Sequence, residues 1–275
     1  EEISGEAVVG GGKTIVDNLR IKDKWSDVNL PLFMMSYRNS KAFSDFITDV
    51  RIDGRIAQSI IDFTTISYFA PTLYGNDLKA TVTGEVSGTV DNFLMKDIRV
   101  ETVSGGFSGK VNGTMKGLPD IDNTTITARA SDFNLTTEGL GSFISKWMSE
   151  GGLDLSRYAK GVDFNMDADV EGPMNAMAID ARINSDIGAF HADMLLTDAV
   201  SDSKAINISG NAQAEDLDLG VILGTDLIHQ TTLRTGLKAQ IGRNNIRSYV
   251  KIDSVLVDRL HLNGYDYKGI AGAGT

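Results

Sequence analysis

Cysteine is absent from this 275-residue chain, proline occurs four times and histidine three times. Without cysteine there is no disulfide scaffold, no thiolate metal site and no thiol nucleophile. The compartment stays open on that evidence, because cysteine-free chains occur on both sides of a membrane. Aromatic residues make up only 7%, which argues against the aromatic girdles of a transmembrane barrel. Basic residues are in deficit, 26 Lys and Arg against 37 Asp and Glu, for a net charge of −11. Nucleic-acid binding needs clustered Lys and Arg, so it is not expected. No run approaches the ~20 apolar residues of a spanning helix. The chain opens Glu1-Glu2-Ile3 without an initiator Met, a basic segment or an apolar leader, and reads as a mature form or a piece of something longer.

What the chain does have is glycine, 29 residues of it, and 41% hydrophobic content, enough for a core. Period-2 alternation dominates. Leu78, Ala80, Val82, Gly84, Val86, Gly88 and Val90 alternate with polar residues from Lys79 to Asp91. Phe107–Lys116, Val162–Glu171 and Ile206–Glu215 repeat the pattern. Weaker copies lie at Val50–Ile56, Ile98–Thr102, Ile126–Ala130, Met177–Ile183, Phe190–Leu196, Leu233–Ile241 and Val250–Val257. Successive strand side chains point to opposite faces, so each stretch has one apolar and one polar face. That predicts antiparallel sheet covered on one side. Turns are expected at Gly105-Gly106, Gly117–Asp120, Gly172-Pro173 and Arg243–Asn245.

Helical periodicity is sparse. Leu140, Phe143, Ile144 and Trp147 fall on one face of a helix over Thr136–Met148. Shorter candidates are Ile66–Tyr74 and Leu217–Leu223. Gly88, Phe107 and Phe133-Asn134-Leu135 recur about 84 residues later as Gly172, Phe190 and Leu217-Asp218-Leu219. About four strands and a helical crossover make one unit. Such units would cover residues 1–75, 76–151, 152–231 and a truncated 232–275, in a single elongated stretch over 1–275.

Catalytic and metal motifs are weak. Gly10-Gly11-Gly12-Lys13-Thr14 resembles the end of a P-loop, but Ala7 stands where its first glycine is needed; a glycine-rich hairpin turn is the simpler reading. Asp163, Asn165, Asp167 and Asp169 lie ~7 Å apart along one strand face, too spread for one calcium ion and suited to a solvated surface. His191, His229 and His261 are far apart, and no metalloprotease or nucleophile-elbow motif is present. No pair of carboxylates stands out for glycoside chemistry, and Trp25 and Trp147 are few for sugar platforms. Four Asn-x-Ser/Thr triplets, at Asn112, Asn123, Asn134 and Asn207, matter only in a eukaryotic secretory source. The chain is therefore expected to be non-enzymatic, with no cofactor and no metal.

The apolar face is more informative. It carries Gly84, Gly88, Gly109, Gly113, Ala168, Ala192 and Ala212. A packed core wants bulkier residues, so these small ones suggest space kept open above the face. A filled core remains the competing reading, as in a β-sandwich or solenoid binding or adhesion module, because core and groove share one binary pattern.

Several segments look like one family. Asp49–Ser59 followed by Ser67–Leu73 resembles a recurring stretch in TamB-like proteins of the Bacteroides group, as do Gly84–Phe93 and Gly113–Asp120. Leu217–Gly224 is similar to the AsmA/TamB superfamily at large. The resemblance covers most of Asp49–Ile270 in order and spacing. It implies an inner-membrane-anchored protein that bridges the periplasm of a Gram-negative envelope, folded as a long curled antiparallel sheet. The sheet forms an open, apolar-lined groove, the β-taco, which carries phospholipid acyl chains between the membranes. An outer-membrane barrel partner is implied for parts of such proteins not present in this sequence. On this reading the groove is lined by Val82, Val86, Val90, Ile98, Val100, Val111, Ile126, Phe164, Met166, Val170, Ile179, Ile183, Ile206, Ile208, Leu237, Ile241, Val250 and Ile252.

Overall fold

A computed structural model describes residues 1–62, 64–65, 79–139, 161–199, 205–242 and 246–272. The alternating stretches are strands of one 15-stranded antiparallel sheet whose strand order is the sequence order. The sheet is not closed into a barrel: β1 and β15 are not neighbours. Among the described residues the protein is all-β, with few short helices. It forms two compact units: residues 1–104, 108–130 and 171–174, and residues 105–107, 131–170 and 175–275.

The first unit contains β1 (Glu2–Gly10), β2 (Lys13–Lys22), β3 (Asp27–Ser36), β4 (Arg51–Asp62), β5 (Lys79–Thr89), β6 (Asn92–Thr102) and β7 (Phe107–Lys116, begun in the other unit), and the start of β8 (Thr125–Thr136). Gly11 and Gly12, at φ +59° and +74°, make the β1–β2 hairpin turn, the two-residue geometry that glycine serves. That disposes of the phosphate-loop resemblance. Helix α1 (Phe46–Asp49) lies between β3 and β4.

The second unit contains the end of β8, most of β9 (Asp163–Pro173), β10 (Ala176–Ser185), β11 (Gly188–Thr197), β12 (Ile206–Asp218), β13 (Ile228–Ile241), β14 (Tyr249–Leu262) and β15 (Tyr265–Gly272). Helix α2 (Leu219–Leu223) covers the last five residues of the candidate at Leu217–Leu223, whose first two close β12. It joins β12 to β13, which are adjacent antiparallel strands, so the chain steps out of the sheet there and returns beside the strand it left. The expected helix over Thr136–Met148 is described only as far as Gly139, with Thr136 closing β8 and 137–139 helical, while that over Ile66–Tyr74 and the turn at Arg243–Asn245 lie outside the described residues. The Gly172-Pro173 turn is displaced: β9 runs through Pro173 and the chain turns at Met174-Asn175.

The exits from β4, β8 and β12 share a device. Asp62 accepts from the Thr64 N–H at 2.8 Å, Thr136 Oγ1 from the Gly139 N–H at 3.0 Å, and Asp218 from the Gly220 and Val221 N–H groups at 3.0 and 3.4 Å. Each is a side chain at the strand's end satisfying the first amides of a helical turn, the role of an N-cap. Residues 64–65 and 137–139 are helical, like α2.

Bulges interrupt the ladders. Asp97, Asp132 and Asp216 have φ of +50°, +53° and +46°. Their N–H groups are diverted to side chains of the following strand: Asp97 to Asn112 Oδ1 at 2.8 Å, Asp132 to Asp167 Oδ1 at 3.2 Å, Asp216 to Thr232 Oγ1 at 3.2 Å. Aspartate tolerates the left-handed region better than most residues, and a bulge increases local twist. The supposed calcium ladder thus contains a structural acceptor, Asp167.

Candidate functional site: the uncharged face of the sheet

Cross-strand pairing places residues in rows on one face. In the first unit one row is Val16, Phe33, Gly54, Val86, Met95 and Gly113, and the next is Thr14, Met35, Ile52, Gly88, Phe93 and Met115. Beyond the bulges the same face continues with Ile98 opposite Val111, and with Val82, Val100 and Gly109. In the second unit the rows are Ile183, Phe190, Ala214, Leu233, Val257 and Ile270; Ala181, Ala192, Ala212, Thr235, Val255 and Gly272; and Ile179, Met194, Gly210, Leu237 and Ile252. A further row holds Met177, Leu196, Ile208, Ala239 and Val250. None of these rows contains a charged side chain.

The opposite face takes the charge. Lys96 faces Glu85 at 3.3 Å, Lys110 meets Asp97 at 2.7 Å, Arg51 meets Asp53 at 2.9 Å, and Arg234 reaches Asp258 at 3.2 Å. The Lys110 hydrogen bond and charge hold the Asp97 carboxyl below its ordinary value. Hydrogen bonding to His191 does the same for Asp180, and to His261 for Asp266.

The large side chains of the uncharged face are mostly half-buried, while the fully buried apolar residues are largely alanines between them: Ala80, Ala168, Ala181, Ala192, Ala212 and Ala214. Of the expected lining residues, Val82, Val86, Ile98, Val100 and Val111 share this face in the first unit, where Ile98 is buried and the others half-buried. Ile126 is half-buried on β8, and Phe164, Met166 and Val170 are half-buried on β9. Ile179, Ile183, Ile206, Ile208, Leu237 and Ile241 lie in the second unit's rows, with Ile206 buried opposite Ile241. Val250 and Ile252 share that face but are 67% and 49% exposed. Val90 does not belong to a strand: it sits in the β5–β6 turn, past the last ladder pair, Thr89 with Asn92.

Residues that the alternation did not single out also reach the face, notably Val16, Phe33 and Met35 from β2 and β3. Leu32-Phe33-Met34-Met35 is apolar on both sides, which hides the period, and Pro31 argues against a strand. The only available signal was the Gly11-Gly12 turn, which sets the β1–β2 register.

Gly84 and Gly113 do not hold space open as expected. A side chain at Gly84, φ +144°, would lie 2.8 Å from Ile98 Cα and 2.9 Å from the Asp97 carbonyl; at Gly113 it would meet Ala128 Cα at 2.8 Å. Glycine is required there because neighbouring backbone comes close, a recurrent reason for glycine in strands.

The polar face of the second unit holds an open concavity of about 550 Å³ over Gly236, edged by His191, Asp193, Asn211, Gln213, Arg234 and Ser254. Each histidine lies beside an aspartate: His191 with Asp180 and His261 with Asp266 at 2.9 Å, His229 with Asp218 at 3.8 Å. No group of three or more His, Asp or Glu among the described residues is placed to hold a metal ion. No helix among them is long and apolar enough to cross a membrane.

Fold and face together define, among the described residues, an all-β protein built on an open antiparallel sheet, with charge-free rows on one face in each of its two units. Compared with family models, curated proteins and solved structures, the chain finds no match.

Proposed function

We propose that the uncharged face shields phospholipid acyl chains, and that the chain is a non-enzymatic segment of an AsmA/TamB-like bridge protein of the Gram-negative periplasm. The observation that supports this most is the combination of charge-free rows with large side chains left half-exposed. A sealed core would bury Val86, Met95, Phe190 and Leu237, which are half-exposed. Apolar surface of that kind marks an interaction site. Acyl chains laid on it gain about 0.8 kcal/mol per CH₂ removed from water, so tails are held by area without a specific pocket. The methionines among the rows, Met35, Met95, Met115, Met177 and Met194, adapt to irregular chains. Charges on the other face keep that side in water.

The test is native mass spectrometry and lipid extraction of gently purified protein, with binding of a fluorescent phospholipid. The protein is expected to carry phospholipid, and Val86→Asp and Leu237→Asp to lower binding about tenfold, a charge under a tail costing more than 1.4 kcal/mol. A filled-core binding module, the rival, predicts a lipid-free protein indifferent to both substitutions, with ligands meeting the polar face instead.

A further inference from the structure

Two of the three histidines, far apart in sequence, meet on adjacent strands. The His229 ring of β13 lies 5.6 Å from the His261 ring of β14, centre to centre. A bulge brings them together: Ile228 pairs with Leu262 and Thr231 with Leu260, so His229 and Gln230 stand against His261 alone. Both strands are interior to the sheet, each paired on its two sides. Each imidazole turns the same atom to a carboxylate. His261 Nδ1 is 2.9 Å from Asp266 Oδ1. His229 Nδ1 is 3.8 Å from Asp218 Oδ2, the oxygen that Asp218 does not use to cap α2. A carboxylate beside Nδ1 keeps the proton there and leaves the lone pair on Nε2. Neither Nε2 has a hydrogen-bond partner among the described residues. His191 is arranged the other way, with Nε2 against Asp180 at 2.9 Å.

We propose that His229 and His261 bind one divalent transition-metal ion of the zinc and copper class between their Nε2 atoms, with Asp218 and Asp266 behind them and water in the remaining positions. The centre of an imidazole is about 1.2 Å from its nitrogen and the metal about 2.0–2.1 Å beyond, so two rings at a tetrahedral angle on one ion have centres about 5.3 Å apart. The observed 5.6 Å is within a few tenths of an ångström of that. Ligating histidines give their other N–H to a carboxylate, which fixes the ring and raises its basicity; here that outer layer is already in place. Imidazole nitrogen suits zinc, copper and nickel, whereas calcium and magnesium want oxygen. The chain supplies two ligands, in keeping with the absence of any larger metal-binding group among the described residues. The two side chains are 40% and 31% exposed, so an ion reaches them from water. Asp216, Asp218 and Asp266 outnumber Arg259 and Lys268 around the rings, surroundings that favour a cation. The bound ion clips β13 to β14 beside α2. This inference does not depend on the lipid reading.

The test uses the whole chain, free of any histidine tag, with zinc chloride and cupric chloride as probes. Calorimetry is expected to give one Zn²⁺ per chain. His229→Gln and His261→Gln should each weaken binding at least about tenfold. Asp266→Asn should weaken it about tenfold, with Asp266→Glu recovering part of the loss, while His191→Gln leaves it unchanged. Bound Cu²⁺ should show two nitrogen ligands by electron paramagnetic resonance. A reading that needs no variant is proton NMR of the unmodified chain, in which zinc should shift the imidazole signals of two histidines and spare the third. Only the folded chain presents the pair, so zinc should also raise the urea midpoint. Circular dichroism checks that each variant keeps its strands. Binding that survives the loss of either histidine, zinc shifts spread equally over all three histidines, or no binding to the folded chain at micromolar zinc would each overturn the proposal.

Discussion

Ser59 is fully buried on β4, yet its hydroxyl is not idle: it accepts from the Asn29 N–H at 2.8 Å and donates to the Asn29 carbonyl at 3.3 Å. It stands in for a ladder partner where β3 and β4 lose regular pairing between Asp27 with Ile60 and Leu32 with Arg55, around Pro31. Ser59→Ala should leave both groups unsatisfied in a dry place and cost about 1–3 kcal/mol, read as a lower urea midpoint at unchanged m. A midpoint within error of wild type would show that water fills the gap. Asp132 makes a second case. At φ +53°, Asp132→Val should cost about 1–2 kcal/mol, while Asp132→Gly should be nearly neutral by the same measurement. Neither role was legible in the sequence. Ser59 reads there as a polar residue on a strand and Asp132 as an outward acid, because both depend on where the neighbouring backbone lies. Gly84 and Gly113 were legible as glycines on the apolar face; that a side chain would strike the next strand was not.

At the level of elements, β5, β7, β9 and β12 were legible from alternation, since one face is apolar and the other wet along their whole length. β1 to β3 were not: Val8-Val9, Ile15-Val16 and Leu32–Met35 are apolar on both faces, and period 2 vanishes when both sides are greasy. The strand exits are the other element-scale feature. Asp218 caps α2 through two amides, so Asp218→Ala should cost about 1 kcal/mol, and Asp218→Asn or Asp218→Ser much less. Thermal or urea unfolding of the three variants gives the comparison; equal losses would assign the effect to the carboxylate's charge beside His229 rather than to the cap.

For the molecule as a whole, alternation dictated an all-β protein but left strand order open, because a sandwich and a single sheet present the same binary pattern. Electrostatics also acts at this scale. Asp23, Asp27, Asp62, Asp97, Asp180 and Asp266 all lie below the ordinary carboxylate value of 3.8. For Asp23 the main cause is the Ser26 N–H; for Asp27 it is Arg20. At Asp62, 3% exposed, burial pushes upward but is outweighed by hydrogen bonds from Thr64 and by Lys79. Carboxylates depressed in the folded state add stability that is complete above their unfolded values and lost as pH falls through the folded ones. The urea midpoint should therefore be flat from pH 7 to about 5 and fall below about pH 4. A midpoint that rises in acid would mean that relief of the −11 net charge dominates instead.

The strictly sequential strand order has a consequence for how such a chain is made and altered. Every ladder forms between segments that are close in the chain, so no strand waits for a remote partner, and folding can spread from any nucleus like a zipper. Stability is then a sum of neighbour terms, with no keystone contact whose loss undoes the rest. A set of four strands with its capped exit can be duplicated or deleted in tandem, provided only that the new ends present matching edges. Length becomes a heritable variable that selection can tune separately from the chemistry of the surface.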